Sequence, residues 1–186
     1  MCKPVNLLNK QGYMKGIIIY QGKYGATDQY AKWLAATLTL PLIEAKNIDS
    51  SKLVGYDVVI LGSSVYVGKL VITRWLTSYL PVLIQKKLLF FVVSGTSAHD
   101  PSQQGIITKN LPSKVRDTAQ LFFLPGRCII SQLSWKDRII LKMGAWLEKD
   151  PQKKAVMESG FDEMNERALA PLITVARTLL HHRNSD

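Results

Sequence analysis

Short apolar runs alternate with helix-type patterns along most of this chain, and the alternation restricts the folds it can adopt. Five runs are expected to be strands, at residues 16–20, 42–45, 57–61, 88–93 and 121–124. They do not switch between apolar and polar residues, which is typical of strands covered on both faces. Strand alternating with helix predicts right-handed βαβ units, and therefore a parallel sheet between two helical layers.

The segments between these runs carry apolar residues at helical spacing. Residues 27–38 place Tyr30 and Leu34 on one face, and residues 71–84 do the same with Leu76. Both patterns predict amphipathic helices that pack on the sheet. A last helix is expected from about residue 170 to residue 180.

Length and composition indicate one globular domain. The chain has 186 residues, of which 47% are hydrophobic and 20% charged, as in ordinary soluble domains. We expect a disordered leader over residues 1–13 and a single domain over residues 14–182, because the leader is polar and lacks a signal-peptide pattern. Two cysteines predict neither a disulfide framework nor a metal site, and this favours a cytoplasmic location.

The chain is strongly basic, with 24 Lys and Arg against 14 Asp and Glu and a net charge of +10. A basic surface attracts nucleic acid, anionic lipid or an acidic protein. The lysines are scattered, however, and no arginine-rich or aromatic-interleaved patch occurs, so a nucleic-acid partner is not expected.

The junction after the first apolar run is a candidate phosphate site. Residues 21–26 form a loop with two glycines, Gly22 and Gly25, and a helix pattern opens at Thr27. Backbone N–H groups and the positive end of the helix dipole converge at such a junction, which can therefore hold a phosphate. The loop is neither GxGxxG nor a Walker motif, which argues against a dinucleotide or a nucleoside triphosphate.

Two further loops follow the third and fourth strands, at the edge of the sheet where ligands bind in open parallel folds. Their small and hydroxyl-bearing residues let the backbone approach a ligand, and Tyr66 adds a ring. The candidate residues are Ser63, Ser64, Val65, Tyr66, Val67 and Gly68 in one loop and Ser94, Gly95, Thr96 and Ser97 in the other. Three such loops predict a ligand with a phosphate tail and a flat polar head.

These loops, in this order, resemble the FMN site of the flavodoxins. The first is similar to the flavodoxin phosphate loop T/S-x-T-G-x-T, whose last four positions match Tyr24-Gly25-Ala26-Thr27, with Tyr24 in place of a small hydroxyl residue. Gly22 stands at the usual first hydroxyl position, and the charge of Lys23 is expected to compensate. The resemblance spans about residues 15–180. It implies an α/β, flavodoxin-like three-layer sandwich with a five-stranded parallel sheet of order 2-1-3-4-5.

The resemblance also implies FMN as the cofactor and a role for each loop. The first loop would hold the phosphate through backbone N–H groups and the Thr27 hydroxyl. The second would contact the isoalloxazine ring, with Tyr66 either stacking on its face or packing on neighbouring residues. The third would contact the pyrimidine edge. The cofactor-binding residues of the first loop are thus Gly22, Lys23, Tyr24, Gly25, Ala26 and Thr27.

After the fifth strand the alternation of strand and helix patterns ends, and residues 127–150 are expected to form an amphipathic insert. Ser134 with Asp137 reads as a variant capping box, and the helix that follows carries Trp135 and Trp146 on one stripe. We interpret the two tryptophans as core residues; the alternative is a groove for a quinone, a porphyrin-like molecule or lipid headgroups. The insert resembles that of the menaquinone-dependent protoporphyrinogen oxidases.

Three functions remain open at this stage. The first is an FMN-dependent oxidoreductase that resembles the protoporphyrinogen oxidases. The second is a flavodoxin-type electron carrier without enzymatic activity, and the third is a binding module that has lost flavin. The expected partners are a redox protein or a quinone- or porphyrin-like small molecule, with peripheral membrane contact as a further expectation. No catalytic residue is assigned, and the oligomeric state is left open.

Overall fold

A parallel sheet of five main strands forms the centre of the structure, a computed structural model that describes residues 13–96 and 100–181. The main strands are β1 (Gly16–Gln21), β2 (Leu42–Glu44), β3 (Val58–Tyr66), β5 (Lys87–Ser94) and β6 (Gln120–Pro125); the short β4 (Lys69–Leu70) pairs antiparallel with β3. The order is β2-β1-β3-β5-β6. Because β4 is only an edge addition, this order confirms the predicted arrangement 2-1-3-4-5.

The sheet is the most buried part of the described chain. Ile18 of β1 lies opposite Ile60 of β3, which in turn lies opposite Leu89 of β5. Consecutive residues of β1, such as Ile17 and Ile18, are both inaccessible to solvent although they point to opposite faces. Burial on both faces explains why these strands read as unbroken apolar runs.

Helices cover both faces of the sheet, as predicted. The helices are α1 (Ala26–Leu38), α2 (Ser50–Leu53), α3 (Thr73–Leu83), α4 (Pro101–Asn110), α5 (Ser113–Thr118), α6 (Trp135–Leu147), α7 (Pro151–Ser159) and α8 (Ala170–His181). One face of the sheet packs against α1 and α8 through residues such as Leu34 and Leu172, and the other packs against α3, α4 and α5 through residues such as Leu76 and Ile107. These layers form the predicted three-layer sandwich.

The second predicted loop is in large part a β-strand, so the sequence interpretation was wrong here. Strand β3 does not end near residue 61 but continues to Tyr66, and the chain reverses through Val67 and Gly68 into β4. Both turn residues have positive φ, 47° and 70°, as in the tight hairpin turns that match strand twist. Ser63, Ser64 and Val65 are therefore strand residues.

The segment expected to be an insert is a helical pair closed by a small sheet. Strand β7 (Arg127–Cys128) pairs antiparallel with β8 (Phe161–Asp162), and α6 and α7 lie between them in sequence. The Ser134 hydroxyl accepts a hydrogen bond from the backbone N–H of Asp137 at 3.2 Å, which confirms Ser134 as the N-cap.

None of the described helices has the length and apolar character needed to span a bilayer. Residues 1–12 of the expected leader at 1–13 lie outside the described residues.

Candidate functional site

The start of α1 offers unused hydrogen-bond donors. Gly25, its N-cap, has a left-handed φ of 83° and no side chain caps the helix. The first N–H groups of any α-helix lack acceptors within the helix. Thr27, in this first turn, is 1% exposed, and its Oγ1 has no hydrogen-bond partner. A buried hydroxyl without a partner normally carries a cost, which an anion at this position would remove.

Gly22 has a packing role beside Thr27. A Cβ built on Gly22 would lie 2.9 Å from the Thr27 Cβ, so any larger residue would push on the first turn of α1. The usual hydroxyl residue of the flavodoxin loop therefore does not fit over this threonine without a shift. Ala26, at the start of the helix, is buried in the core beneath the loop.

Arg127 is a cation of this site that the sequence interpretation missed. Its guanidinium Nη2 would lie 3.5 Å from a Cβ built on Gly25, and its Nε is buried without a hydrogen-bond partner. The residue begins β7, immediately after the fifth main strand. Its position was a usable signal, because the carboxyl ends of parallel strands meet at one edge of the sheet.

Asp137 of α6 joins the first two predicted loops. Its Oδ2 lies 2.9 Å from Lys23 Nζ and accepts a hydrogen bond from the Tyr24 hydroxyl. Its Oδ1 accepts a hydrogen bond of 2.5 Å from the Tyr66 hydroxyl. The carboxylate was expected only to cap α6. The structure places it instead at the centre of what we call the Asp137 cluster: Lys23, Tyr24, Tyr66 and Asp137.

Lys23 covers the ring of Tyr66. Its Nζ lies 3.3 Å from the ring centroid, a cation–π contact. Partial burial disfavours the charged ammonium, but hydrogen bonds to Tyr66 and Asp137 outweigh it, so the pKa of Lys23 is raised above its usual value. Tyr66 thus contacts Lys23 and Asp137, and its stacking on a flavin ring stays a prediction.

Asp28, in the first turn of α1, forms a second set of charged contacts beside the first predicted loop. The Tyr20 hydroxyl, at the end of β1, donates a hydrogen bond of 2.7 Å to Asp28, which also pairs with Lys32 at 2.7 Å. The bond to Asp28 raises the pKa of Tyr20 to about 12. Burial opposes ionisation of Asp28, but the bonds to Lys32 and Tyr20 prevail and lower its pKa. Asp28 therefore remains a carboxylate in the first turn of α1.

The serines of β3 differ in their surroundings. Ser63 is fully buried, and its hydroxyl accepts from the N–H of Ile72 at 3.3 Å, which ties β3 to the start of α3. The Ser64 hydroxyl is buried without a hydrogen-bond partner. At the hairpin tip Val67 is exposed, and no atom lies within 4 Å of a Cβ built on Gly68.

The third loop is held by a buried amide. Gln103 of α4 donates from Nε2 to the Ser94 hydroxyl at 2.6 Å and to the Thr96 carbonyl at 2.8 Å. A Cβ on Gly95 would lie 2.3 Å from the ring of Phe161, so this β8 residue already occupies the space that the glycine leaves. Ser97 lies outside the described residues. Neither Gln103 nor Phe161 was predicted, because only the tertiary fold brings them to this loop.

A cavity of about 630 Å³ lies at the opposite edge of the sheet. Asp57 and Lys87, at the amino ends of β3 and β5, line it together with Met14. The three predicted loops lie at the carboxyl ends of the strands, so this cavity has no part in the candidate site. The described residues contain no group of three or more His, Cys, Asp or Glu side chains able to hold a metal.

A comparison with protein-family models matches residues 17–155 to the flavodoxin domain. The chain belongs to the flavodoxin domain family. The matched range includes all three predicted loops and all of α6. No curated protein matched this flavodoxin-domain chain in a sequence search.

Solved structures similar to this flavodoxin-domain chain include a flavodoxin from the Archaea, at 16% identity and a TM-score of 0.44, covering 67% of this chain and 88% of the other. The two-electron reduced flavodoxin of Megasphaera elsdenii has 19% identity and a TM-score of 0.46, with coverages of 60% and 83%. The flavodiiron core Flv1 of Synechocystis sp. PCC6803 has 18% identity and a TM-score of 0.43, with coverages of 62% and 30%.

FMN is the cofactor of flavodoxin domains, and the first loop fits its phosphate. An uncapped helix start, a buried hydroxyl without a partner at Thr27, and the nearby cations Lys23 and Arg127 form the donor set that a phosphate requires. Lys23 is at present paired with Asp137. A phosphate and this carboxylate would therefore compete for the same ammonium group.

Proposed function

We propose that this chain binds FMN through the residues named above and transfers electrons through it. The observation that carries the proposal is the buried Thr27 hydroxyl, which has no partner at the uncapped start of α1. Folding leaves this hydroxyl without a partner, in the loop that resembles the flavodoxin phosphate loop, and a bound phosphate would give it one.

The chain's own residues would supply binding and electrostatics, while bound FMN supplies the redox chemistry. Backbone N–H groups of residues 23–27 and the Thr27 hydroxyl would donate to the phosphate, and Arg127 would offset its charge. The β3 hairpin and the loop after β5 would contact the ring. Lys69, exposed on β4 beside Tyr66 in the hairpin, would favour an anionic reduced flavin and raise its potential.

For the redox reaction, we propose an oxidoreductase that passes electrons to or from a quinone- or porphyrin-like molecule, as in the protoporphyrinogen oxidases. The specific support is α6, which combines exposed aromatic and basic side chains. These suit a flat amphiphile or the membrane that contains it. Peripheral membrane contact is part of this proposal.

A flavodoxin-type carrier that docks on a redox protein is the second candidate. Net charge favours the oxidoreductase over the carrier, because flavodoxin carriers tend to be acidic whereas this chain has a net charge of +10. The third candidate is a module without flavin. It is supported by Gly22 and Tyr24, which stand where flavodoxins have hydroxyl residues, and by the Asp137 carboxylate, which would compete with a phosphate for Lys23.

The visible spectrum of the purified protein, with the released cofactor identified by chromatography, tests FMN binding. The proposal expects flavin absorption bands and released FMN; a protein that stays colourless in excess FMN would leave only the third candidate. Turnover of protoporphyrinogen with a menaquinone analogue then separates the oxidase from the carrier. A flavin-loaded protein that exchanges electrons only with a redox protein would support the carrier.

A further inference from the structure

Helix α6 presents its large apolar side chains to solvent. Trp135 is 68% exposed and Trp146 is 79% exposed. The interpretation of both tryptophans as core residues is therefore wrong. The exposed apolar residues of the helix, here called the α6 face, are Trp135, Ile139, Ile140, Met143, Trp146 and Leu147. They recur at spacings of three and four, so they lie along one side of the helix.

The opposite side of α6 is already used. Asp137 points into the Asp137 cluster, and Ala145 is buried. A Cβ on Gly144 would lie 3.8 Å from the sulfur of Met157, which places α7 against this side. The rotation of α6 about its axis is thus determined by contacts with the rest of the domain. The apolar side faces outward because the inward side has specific partners.

The exposed charges of α6 all have one sign. Lys136, Arg138 and Lys142 are exposed, whereas Asp137, the one acidic residue between Trp135 and Leu147, is 7% exposed and pairs with Lys23. The solvent-exposed part of this helix therefore carries only positive charge. Arg138 and Lys142 flank the α6 face, whereas Lys136 lies within it. A partner that covers this helix must therefore be apolar and must also offer negative charge.

We propose that α6 docks along the surface of an anionic lipid bilayer, with the α6 face in the headgroup region. Apolar insertion combined with Lys and Arg attraction is the binding mode of amphipathic interfacial helices, and tryptophan side chains favour the membrane–water boundary. Thirteen residues span about 20 Å, so the helix lies in the interface and does not cross it. An acidic protein supplies charge but not the continuous apolar layer that six large side chains would enter.

This inference deepens the membrane contact of the proposed function and does not require FMN. It can therefore fail while FMN binding holds, and FMN binding can fail while it holds. Docking would place the Asp137 cluster behind α6, because Asp137 and Trp135 leave the first turn of this helix on opposite sides. Helix α6 itself would then separate the candidate site from an amphiphilic electron donor or acceptor dissolved in the bilayer.

Sedimentation of the full chain with vesicles tests the proposal. We expect binding to phosphatidylcholine vesicles with 30% phosphatidylglycerol at 50 mM salt, at least tenfold weaker binding to pure phosphatidylcholine, and loss of most binding at 500 mM salt. Tryptophan emission should shift to the blue on binding. Failure to bind anionic vesicles at low salt would overturn the proposal.

Two variants locate the surface. The double variant W135Q/W146Q should bind anionic vesicles at least tenfold more weakly, whereas V54Q, which replaces an exposed apolar residue before β3, should bind as the parent does. Equal binding by all three proteins would contradict a role for α6. Sedimentation equilibrium without lipid tests whether a second copy of this chain covers the α6 face instead. A dimer that W135Q/W146Q disrupts, together with no vesicle binding, would assign the α6 face to that second copy.

Discussion

The Lys23 ammonium lies 2.9 Å from the Asp137 carboxylate and joins the loop before α1 to helix α6. Asp137 is 7% exposed and also accepts hydrogen bonds from Tyr24 and Tyr66. An anion that binds the Lys23 ammonium must therefore replace Asp137 as its negative partner. The cluster stabilises the unloaded chain and would oppose phosphate binding in this loop.

Replacing Asp137 by Asn should separate these two effects. D137N removes a negative charge next to the proposed phosphate position, and we expect FMN affinity to rise about fivefold, or about 1 kcal/mol. The unloaded protein should lose about 1–3 kcal/mol of stability, because two tyrosine hydroxyls and the Lys23 ammonium lose a charged acceptor. Fluorescence quenching of FMN measures the first effect, and urea unfolding measures the second.

The matched control is D117N, which changes an exposed carboxylate on α5 and should leave both quantities unchanged. Weaker FMN binding by D137N would show that Asp137 supports the cofactor site instead of competing with FMN.

Replacing Thr27 by Val should weaken FMN binding without destabilising the unloaded protein. The Thr27 hydroxyl is buried without a partner in the described structure, so removing it from the unloaded protein should raise stability by up to about 1–3 kcal/mol. FMN affinity should fall about fivefold to tenfold, because a donor to the phosphate is lost. Thr27→Ser, which keeps the hydroxyl, should restore the affinity. Equal affinities for the three proteins would remove Thr27 from the site.

A methyl group at Gly62 should disturb the centre of the sheet. A Cβ there would lie 2.2 Å from the ring of Phe91 on the neighbouring strand. We expect G62A to lose about 1–3 kcal/mol of stability through overpacking. G55A is the control, because no atom lies within 4 Å of its added Cβ. Urea midpoints compare them, and a G62A midpoint equal to that of G55A would contradict the described packing.

The lowered pKa of Asp28 predicts how the stability of the protein depends on pH. Its pKa is lowered in the folded state by Lys32 and Tyr20, so its stabilising contribution is complete above the unfolded value near 3.8. That contribution is lost as the pH falls through the lower folded value. The stability difference between the parent and D28N should be constant from pH 7 to pH 5 and should shrink below pH 4. A difference that grows on acidification would reverse the assigned sign.

The central architecture could be predicted from the sequence because each main strand is buried on both faces. Ile17 and Ile18 show this directly: neither is exposed, so the run carries no polar alternation. The start of α1 was also predictable, since Gly25 precedes an amphipathic pattern. These features depend on local spacing alone.

The contents of the site could not be predicted to the same extent. Asp137 is near Lys23, Tyr24 and Tyr66 only because α6 folds back over the sheet edge, and local sequence does not encode that approach. Trp135 was misinterpreted for a related reason. An apolar stripe indicates an interface, but it does not say whether the domain itself or an outside partner covers it.

Parallel titrations with FMN and riboflavin test the central claim most directly, because riboflavin has the same ring and lacks the phosphate. We predict that the protein binds one FMN per chain, with a shifted visible spectrum, and binds riboflavin about 100-fold more weakly, as expected for the loss of about 3 kcal/mol of charge-assisted hydrogen bonds. Equal affinity for the two flavins, or no binding of FMN, would contradict phosphate recognition by the loop around Thr27.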